Sequence, residues 1–272
     1  MTGTLLITGG TGTLGTALIK HCLKAYPKLK IKSYSRDEYK AWVLSSQLKT
    51  DRVEFILGDV RDRNRVHEVM EGVDYVIHAA ALKHVWAGEQ HPYEVIQTNI
   101  NGTKNVLDAC NWNMTKMVLV SSDKAVEPKN LYGATKMAGE SIVLNGNQRV
   151  VRYGNVFGSR GSVLHKFKEW AEIGHTFKIT DKRMTRFVLT VDDAVRLVIQ
   201  TLDMIPGSLN VPVLPAMRII DLARAFDENC LIEEIGIQPG EKLHESLSED
   251  QSSDNARMLT IPEIKELINA TI

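Results

Sequence analysis

Thr8-Gly9-Gly10-Thr11-Gly12-Thr13-Leu14-Gly15 decides the fold of this chain. It follows Leu5-Leu6-Ile7, an apolar run that reads as a buried strand, and it leads into Leu14, Leu18 and Cys22, whose spacing gives one apolar face of a helix stopped by Pro27. The stretch satisfies both the G-x-G-x-x-G and the G-x-x-G-x-x-G spacing. Glycine lacks a Cβ, so the backbone can turn tightly and approach a pyrophosphate, whose charge is stabilised by the free N–H groups and dipole of the helix that follows. The plainer reading is a glycine-rich strand-helix turn without a ligand, and the strand before and helix after favour a dinucleotide site over it. Gly9, Thr11, Gly12, Thr13, Leu14 and Gly15 are the expected cofactor contacts.

Working outward, the same rhythm repeats. Ile31 to Tyr34, Val53 to Leu57, Tyr75 to Ile77, Met117 to Val120 and Val150 to Tyr153 read as strands, and amphipathic segments separate them. Val95, Ile96, Asn99, Ile100, Thr103, Val106, Leu107 and Cys110 fall at helical spacing. This is an α/β chain, a Rossmann-type doubly wound parallel sheet with a smaller interleaved substrate lobe. Residues 1–154, rejoined by 188–212, are expected to bind the cofactor, and 155–187 with 213–272 to form the lobe. Val163 to Ala171, Val191 to Met204 and Ile261 to Ile268 read as helices, Leu209-Asn210-Val211 as a last strand, and Ser248 to Asn255 as a surface loop.

At 272 residues, with 43% hydrophobic and 24% charged residues, the chain can bury a core large enough for one such domain plus a lobe. Lysine plus arginine number 33 and aspartate plus glutamate 33, so no bulk charge draws the protein to nucleic acid or to an anionic membrane. Cys22, Cys110 and Cys230 lie far apart without a C-x-x-C spacing, which suggests neither a disulfide framework nor a zinc site. No apolar run approaches the ~18 residues of a membrane span, and a strand begins almost at Met1. A soluble protein of the reducing cytoplasm, with no metal, is the expectation.

The second strand runs into Ser35-Arg36-Asp37-Glu38-Tyr39-Lys40, where an NAD enzyme more often offers a carboxylate to the ribose hydroxyls. Arg36 with Lys40 suits a 2′-phosphate instead, since a guanidinium binds phosphate through two parallel bonds and stays charged. Asp37 at the ribose is the competing reading. Asp59 and Val60 after the third strand, with Ala79, Ala80 and Ala81 after the fourth, lie at carboxyl ends of strands, where such sheets bind ligands.

The chemistry sits on one short piece of chain. Tyr132 and Lys136 are four apart, so a helix starting there projects both from one face, and a nearby ammonium and a positive nicotinamide favour the phenolate, a usable base. Ser122 ends the fifth strand, placed to bond the same substrate hydroxyl, and Asp123-Lys124 follow it. A packed helix-start tyrosine beside a solvated lysine, and a salt-bridged turn at Asp123-Lys124, are the structural alternatives.

With Gly58-Asp-Val-Arg-Asp, His78-Ala-Ala-Ala-Leu-Lys-His, Leu131-Tyr-Gly-Ala-Thr-Lys, Val151-Arg-Tyr-Gly-Asn-Val, Gly158-Ser-Arg-Gly-Ser-Val, Met184-Thr-Arg-Phe and Pro239-Gly-Glu-Lys-Leu-His-Glu, the chain resembles the extended short-chain dehydrogenase/reductase superfamily. Within it, these stretches resemble the inverting UDP-N-acetylglucosamine 4,6-dehydratases of the polysaccharide-biosynthesis family, from the first strand to about Glu245. The resemblance implies oxidation of the sugar C4 hydroxyl by a tightly bound, recycled NADP, loss of water across C5 and C6, and return of the hydride to C6 with C5 protonated from the opposite face. A C4 ketone acidifies the C5 hydrogen, which makes the elimination chemically accessible. Lys124 is assigned to C5 deprotonation, which needs a lysine held neutral, Asp123 to protonation of the departing hydroxyl, and Tyr132 stands as a candidate for the inverting proton.

The resemblance also nominates Lys83, Asn155, Arg160, Thr180, Arg186 and Glu241 around a UDP-sugar, adds Lys83 and Asn99 to the cofactor contacts, and implies a homo-oligomer. Fixed cations suit a diphosphate, while any one of these arginines is also an ordinary surface charge. Gln238 stands where the family usually has arginine, and Trp86 where it has proline. His84, His91 and His244 show no metal-ligand grouping and read as scaffold or rim. Two other functions share the scaffold: a nucleotide-sugar 4-epimerase, which needs Tyr132 and Lys136 but no elimination pair, and a catalytically silent NADP-sensing protein.

Overall fold

A computed structural model describes residues 1–112 and 114–272. Strands and helices alternate through β1 (Gly3–Thr8), α1 (Thr13–Ala25), β2 (Leu29–Ser35), α2 (Glu38–Leu48), β3 (Val53–Leu57), α3 (Arg63–Val69) and β4 (Tyr75–His78). There follow α4 (Val85–Gln90), α5 (Pro92–Ile96), α6 (Gly102–Trp112), β5 (Lys116–Val120), α7 (Leu131–Asn145) and β6 (Arg149–Val151). The chain then leaves through β7 (Asn155–Val156), α8 (Val163–Glu172), β8 (Phe177–Ile179) and β9 (Thr185–Leu189), and returns by α9 (Val191–Leu202) and β10 (Leu209–Asn210). It ends in β11 (Ala216–Arg218), α10 (Ile219–Phe226), β12 (Ile232–Glu234), β13 (Ser246–Ser248), β14 (Gln251–Ser252) and α11 (Ile261–Thr271).

Among the described residues, the main sheet has seven parallel strands in the order β10-β6-β5-β4-β1-β2-β3. The Rossmann-type sheet expected from the sequence is therefore present. Strand order reverses between β1 and β4, so their carboxyl ends diverge and leave a crevice there, where ligands of open α/β sheets bind. Leu5, Leu6 and Ile7 are buried on both faces because helices cover both sides, and burying each contributes about 1.5–3 kcal/mol. His78 ends β4 fully buried, its ring bonded to Thr8 Oγ1 (2.7 Å) and Thr103 Oγ1 (3.1 Å). Burial, with the charge of Lys136, pulls this imidazole down to about 3, so it stays neutral.

A separate apolar cluster, including Phe167, Phe177, Met184, Leu222 and Ile264, holds α8, α10 and α11 together beside the sheet. β9 pairs with β7 and β11 in a small sheet of its own, and Thr185–Leu189 runs through the boundary expected at residue 188.

Two local expectations are corrected. The helical spacing from Val95 to Cys110 is interrupted by a π-helical turn at Gln97–Asn101, which inserts a residue and turns Thr98 toward the crevice. Ser248 to Asn255 is not a free surface loop: β13 and β14 pair, and Ser253 beyond them is fully buried. Its amide donates to Glu245 O at 2.8 Å, while its hydroxyl bonds Thr185 Oγ1 at 2.6 Å, so polar composition conceals a structural anchor.

Candidate active site

The carboxyl ends of the strands and the lobe enclose a cleft of about 1160 Å³, lined at one end by the glycine-rich turn and at the other by Ser122, Lys124 and Tyr132. Its size suits two ligands side by side. Gly9 adopts φ +70°, and a Cβ there would stand 3.0 Å from the Ala80 amide nitrogen, which is why the turn can close onto β4. Gly12 begins α1 without a side-chain cap, and no acidic residue occupies the first turn. By contrast, α9 and α11 start with full capping boxes, Thr190 with Asp193 and Thr260 with Glu263. The uncapped N–H groups of α1 and its dipole suit an anion. The buried hydroxyls of Ser35, Thr98 and Ser121 also line the cleft and have no hydrogen-bond partner in the protein, so a polar ligand would satisfy them. These residues fit a dinucleotide.

Arg36 lies half-exposed on the rim, its Nη1 3.6 Å from Asp59 Oδ2. Asp59 is partly buried, which pushes its carboxyl up, but its bonds to Arg61 and the charge of Arg36 outweigh this and hold it low. Asp37 caps α2 by accepting from Lys40 N and is bonded by Lys40 Nζ (2.5 Å), which holds its carboxyl low too. Lys40, Val60, Ala79, Ala80 and Ala81 all line the cleft.

Asn99 does not line it. Its Oδ1 accepts from Leu82 N (2.8 Å), and its Nδ2 donates to Leu82 O and Thr135 Oγ1 (3.0 Å each), so it ties the loop after β4 to α7. Thr98, its neighbour on the π-helical turn, is the residue that faces the cleft. No side-chain type in the sequence signals that Thr98 lines the cleft.

Arg160, nominated for the sugar, lies over the glycine-rich turn: Nη2 donates to Thr11 O (2.5 Å), and the backbone N to Thr13 Oγ1 (3.3 Å). Lys83 Nζ donates to Arg160 O at 3.0 Å, and burial together with the Arg160 charge pushes its ammonium down. Asn155, Thr180, Arg186 and Glu241 line the other side of the cleft. Gln238 is exposed on the loop before Glu241, to which its amide donates (3.3 Å).

At the other end of the cleft, Ser122 caps a short 3-10 turn, Asp123–Ala125, and donates to Asp123 Oδ1 (2.8 Å). Lys124 Nζ is 3.1 Å from the same oxygen and 3.4 Å from Asn155 Oδ1. Asp123 is fully buried behind Lys124, away from the cleft surface, and its Oδ2 has no partner. Lys124 meets a second carboxylate, Glu245 Oε1 at 3.2 Å. Burial alone would lower this lysine's pKa, but the two carboxylates prevail and hold its ammonium well above the usual lysine range.

Asn130 caps α7 through Oδ1 (2.8 Å to Gly133 N), and a Cβ on Gly133 would come 2.3 Å from Lys124 O. The helix therefore presses directly on the Asp123–Ala125 turn. Tyr132 and Lys136 are both buried on its face. Burial pushes the Tyr132 phenol up, and the cation that favours its anion is Lys124, aided by the Ser122 hydroxyl. Lys136, expected to do this, donates to Val120 O (2.5 Å), and burial draws its ammonium down to about 8.

The segment 240–245 straps this turn in place. Gly240 O accepts from Asn130 Nδ2 (2.8 Å), Lys242 Nζ donates to Val126 O (2.5 Å), and His244 Nδ1 bonds Thr185 Oγ1 (2.8 Å). Arg186 donates to Lys242 O (2.9 Å) and Leu243 O (3.1 Å), so part of its guanidinium serves the strap rather than a ligand. Among the described residues no cluster of histidine, cysteine or acidic side chains could hold a metal, and no helix is long and apolar enough to cross a membrane.

A doubly wound sheet, an uncapped glycine-rich turn and a buried tyrosine and lysine one helical turn apart define an extended short-chain dehydrogenase/reductase, an enzyme class that works with a nicotinamide cofactor. Residues 5–266 match the family described as polysaccharide biosynthesis protein, and the chain belongs to it. It is 45% identical over 261 residues to a UDP-N-acetylglucosamine 4,6-dehydratase (inverting) of Campylobacter jejuni subsp. jejuni serotype O:2, covering 91% of this chain and 78% of that protein. A UDP-glucose 4-epimerase of Rickettsia conorii is 40% identical over 262 residues, covering 90% and 77%. The crystal structure of Pen from Bacillus thuringiensis superposes with a TM-score of 0.93 at 32% identity, covering 99% of this chain and 97% of that one.

Proposed function

We propose that this chain dehydrates a UDP-N-acetylhexosamine, UDP-N-acetylglucosamine first, to the 4-keto-6-deoxy sugar with inversion at C5. The carrying observation is Asp123 and Lys124 in hydrogen-bond contact beside Tyr132 at one end of a dinucleotide cleft. NADP is the cofactor of this reading, with Arg36 and Lys40 at its 2′-phosphate and the uncapped start of α1 at its pyrophosphate. When bound there, it would supply a hydride acceptor for C4 and a hydride donor for C6.

The protein's part is proton handling. Tyr132 as phenolate takes the C4 hydroxyl proton. The Lys124–Asp123 pair holds one proton that matters: moved from Nζ to Oδ1 across 3.1 Å, it yields a neutral amine and a carboxylic acid together. The amine then removes the C5 proton, and Asp123, through the Ser122 hydroxyl bonded to Oδ1, protonates the departing C6 hydroxyl. That leaves an ammonium and a carboxylate, the resting pair. Tyr132 gives its proton to C5 from the face opposite Lys124, which inverts that carbon and restores the phenolate. The net change is one water lost.

Asn155, Thr180 and Glu241, with Lys83 and Arg186 as cations, surround the UDP-sugar in this reading, and residues 155–187 and 213–272 form its lobe. Arg160, lying on Thr11 and Thr13, bridges the two ligands. A cytoplasmic homo-oligomer completes it. The second reading is a 4-epimerase, favoured by the 40% identity to proteins named so. The test is incubation with UDP-N-acetylglucosamine in heavy water. Loss of one water with deuterium at an inverted C5 supports dehydration, and an isomer of unchanged carbon skeleton and oxygen count supports epimerisation.

A further inference from the structure

Glu245 reaches the catalytic turn from more than a hundred residues downstream, on the strap that precedes β13. It is 3% exposed, and its backbone N donates to Ser253 Oγ at 3.0 Å, which in turn bonds Thr185. Its side chain makes no structural hydrogen bond to the backbone: Oε1 stands 3.2 Å from Lys124 Nζ, and Oε2 has no hydrogen-bond partner, with Lys242 Nζ 3.8 Å away. A buried carboxylate is costly to keep unless its charge is used, and here it faces the one lysine that must change protonation. Asp123 and Glu245 thus flank a single ammonium, each with an oxygen that makes no hydrogen bond. The other charged or titratable groups facing the cluster are Arg186, Lys242 and Tyr132.

We propose that Glu245 is a positioning residue of the elimination step: it holds Lys124 Nζ between Asp123 and the cleft and fixes the proton count that the three groups share. This rests on the dehydratase reading. When the Lys124 proton passes to Asp123 Oδ1, Glu245 remains a carboxylate and accepts an N–H of the now neutral amine. That bond turns the nitrogen lone pair toward C5. No charge leaves the cluster, and the proton returns when Lys124 takes the C5 hydrogen.

The test uses the full-length holoenzyme with Glu245→Gln and Glu245→Asp. For Glu245→Gln, kcat for dehydration falls about 10²-fold while KM stays within about threefold. The pH-rate limb that reports Lys124 moves down by about one unit, because removing an anion destabilises the ammonium. Cofactor stays bound, and the rise in nicotinamide absorbance when substrate is oxidised at C4 persists, since Tyr132 performs that step. Glu245→Asp recovers part of kcat and of the pH limb. Unchanged turnover with an unchanged pH profile overturns the proposal. So does joint loss of cofactor, C4 oxidation and dehydration, which marks a merely structural residue. Should Glu245→Gln not accumulate folded, Ser253→Ala loosens Glu245 from its frame and must show the same shift in smaller size. A wild-type enzyme that releases no water defeats the dehydratase reading itself, whatever the variants do.

Discussion

The two ends of the cleft are built in opposite ways. The glycine-rich end gathers residues from the ends of four neighbouring strands, each within a few positions of its strand: Gly9 to Gly15 after β1, Ser35 and Arg36 at β2, Asp59 and Val60 after β3, Ala79 to Ala81 after β4. The Ser122–Tyr132 end starts from one local turn, packed against α7, and is braced as well by the strap 240–245 and Arg186, contributed from outside the main sheet. The first kind of site comes with the topology; the second depends on the lobe packing back correctly.

The hardest test of that separation is removal of the proton-handling groups. Lys124→Ala and Tyr132→Phe should each lower kcat by about 10²–10⁴-fold while cofactor stays with the protein through gel filtration. Loss of cofactor in either variant would show that the two ends are not independent. Arg36→Ala probes the other end: isothermal titration should give NADP binding about 10–100-fold weaker with NAD binding unchanged. An unaltered preference removes Arg36 from the cofactor site.

His78 makes the fold acid-sensitive. Its imidazole is held at about 3 by burial, whereas in the unfolded chain it titrates near ~6.5. Between those values the unfolded chain binds the extra proton, so stability falls as pH falls, by up to about 1.4 kcal/mol per unit, and this term vanishes above ~6.5. Urea unfolding across that window should show a slope that flattens in His78→Asn. An identical slope would place the acid sensitivity elsewhere. The smallest effect is at the strap: Asn130→Ala should cost about 1 kcal/mol and lower Tm by about 2 °C, with a larger fall in kcat than in cofactor affinity.

The asymmetry also explains what could be read from the chain. The strands of the main sheet appear as apolar runs because helices cover both faces, and the glycine-rich turn, Ser122 to Lys124 and Tyr132 with Lys136 are motifs whose meaning lies in their own spacing. Glu245 closes one of the stretches that carry the family resemblance, but nothing in its spacing points to Lys124, and a glutamate seen in sequence is by default a solvated charge. Ser253, in a polar stretch that resembles a loop, was hidden for the same reason. Thr98 lines the cleft and Asn99 does not, a difference that the apolar spacing could not show because a π-helical turn interrupts that helix. Arg160 and Arg186 were recognisable as cleft residues, but not as donors to Thr11 O and to the strap carbonyls, which requires the folded lobe.

Asn130 joins the two kinds of construction in a single amide. Its oxygen terminates the catalytic helix, and its nitrogen grips Gly240 of the strap. Of the side chains that end helices well, aspartate offers acceptors alone and the hydroxyl residues have a shorter reach, so an amide is the natural choice where one group must both receive and give. Aspartate at this position would leave the helix its terminus while uncoupling it from the segment that carries Glu241 and Glu245. One nitrogen for oxygen exchange thus separates the integrity of the helix from its communication with the lobe.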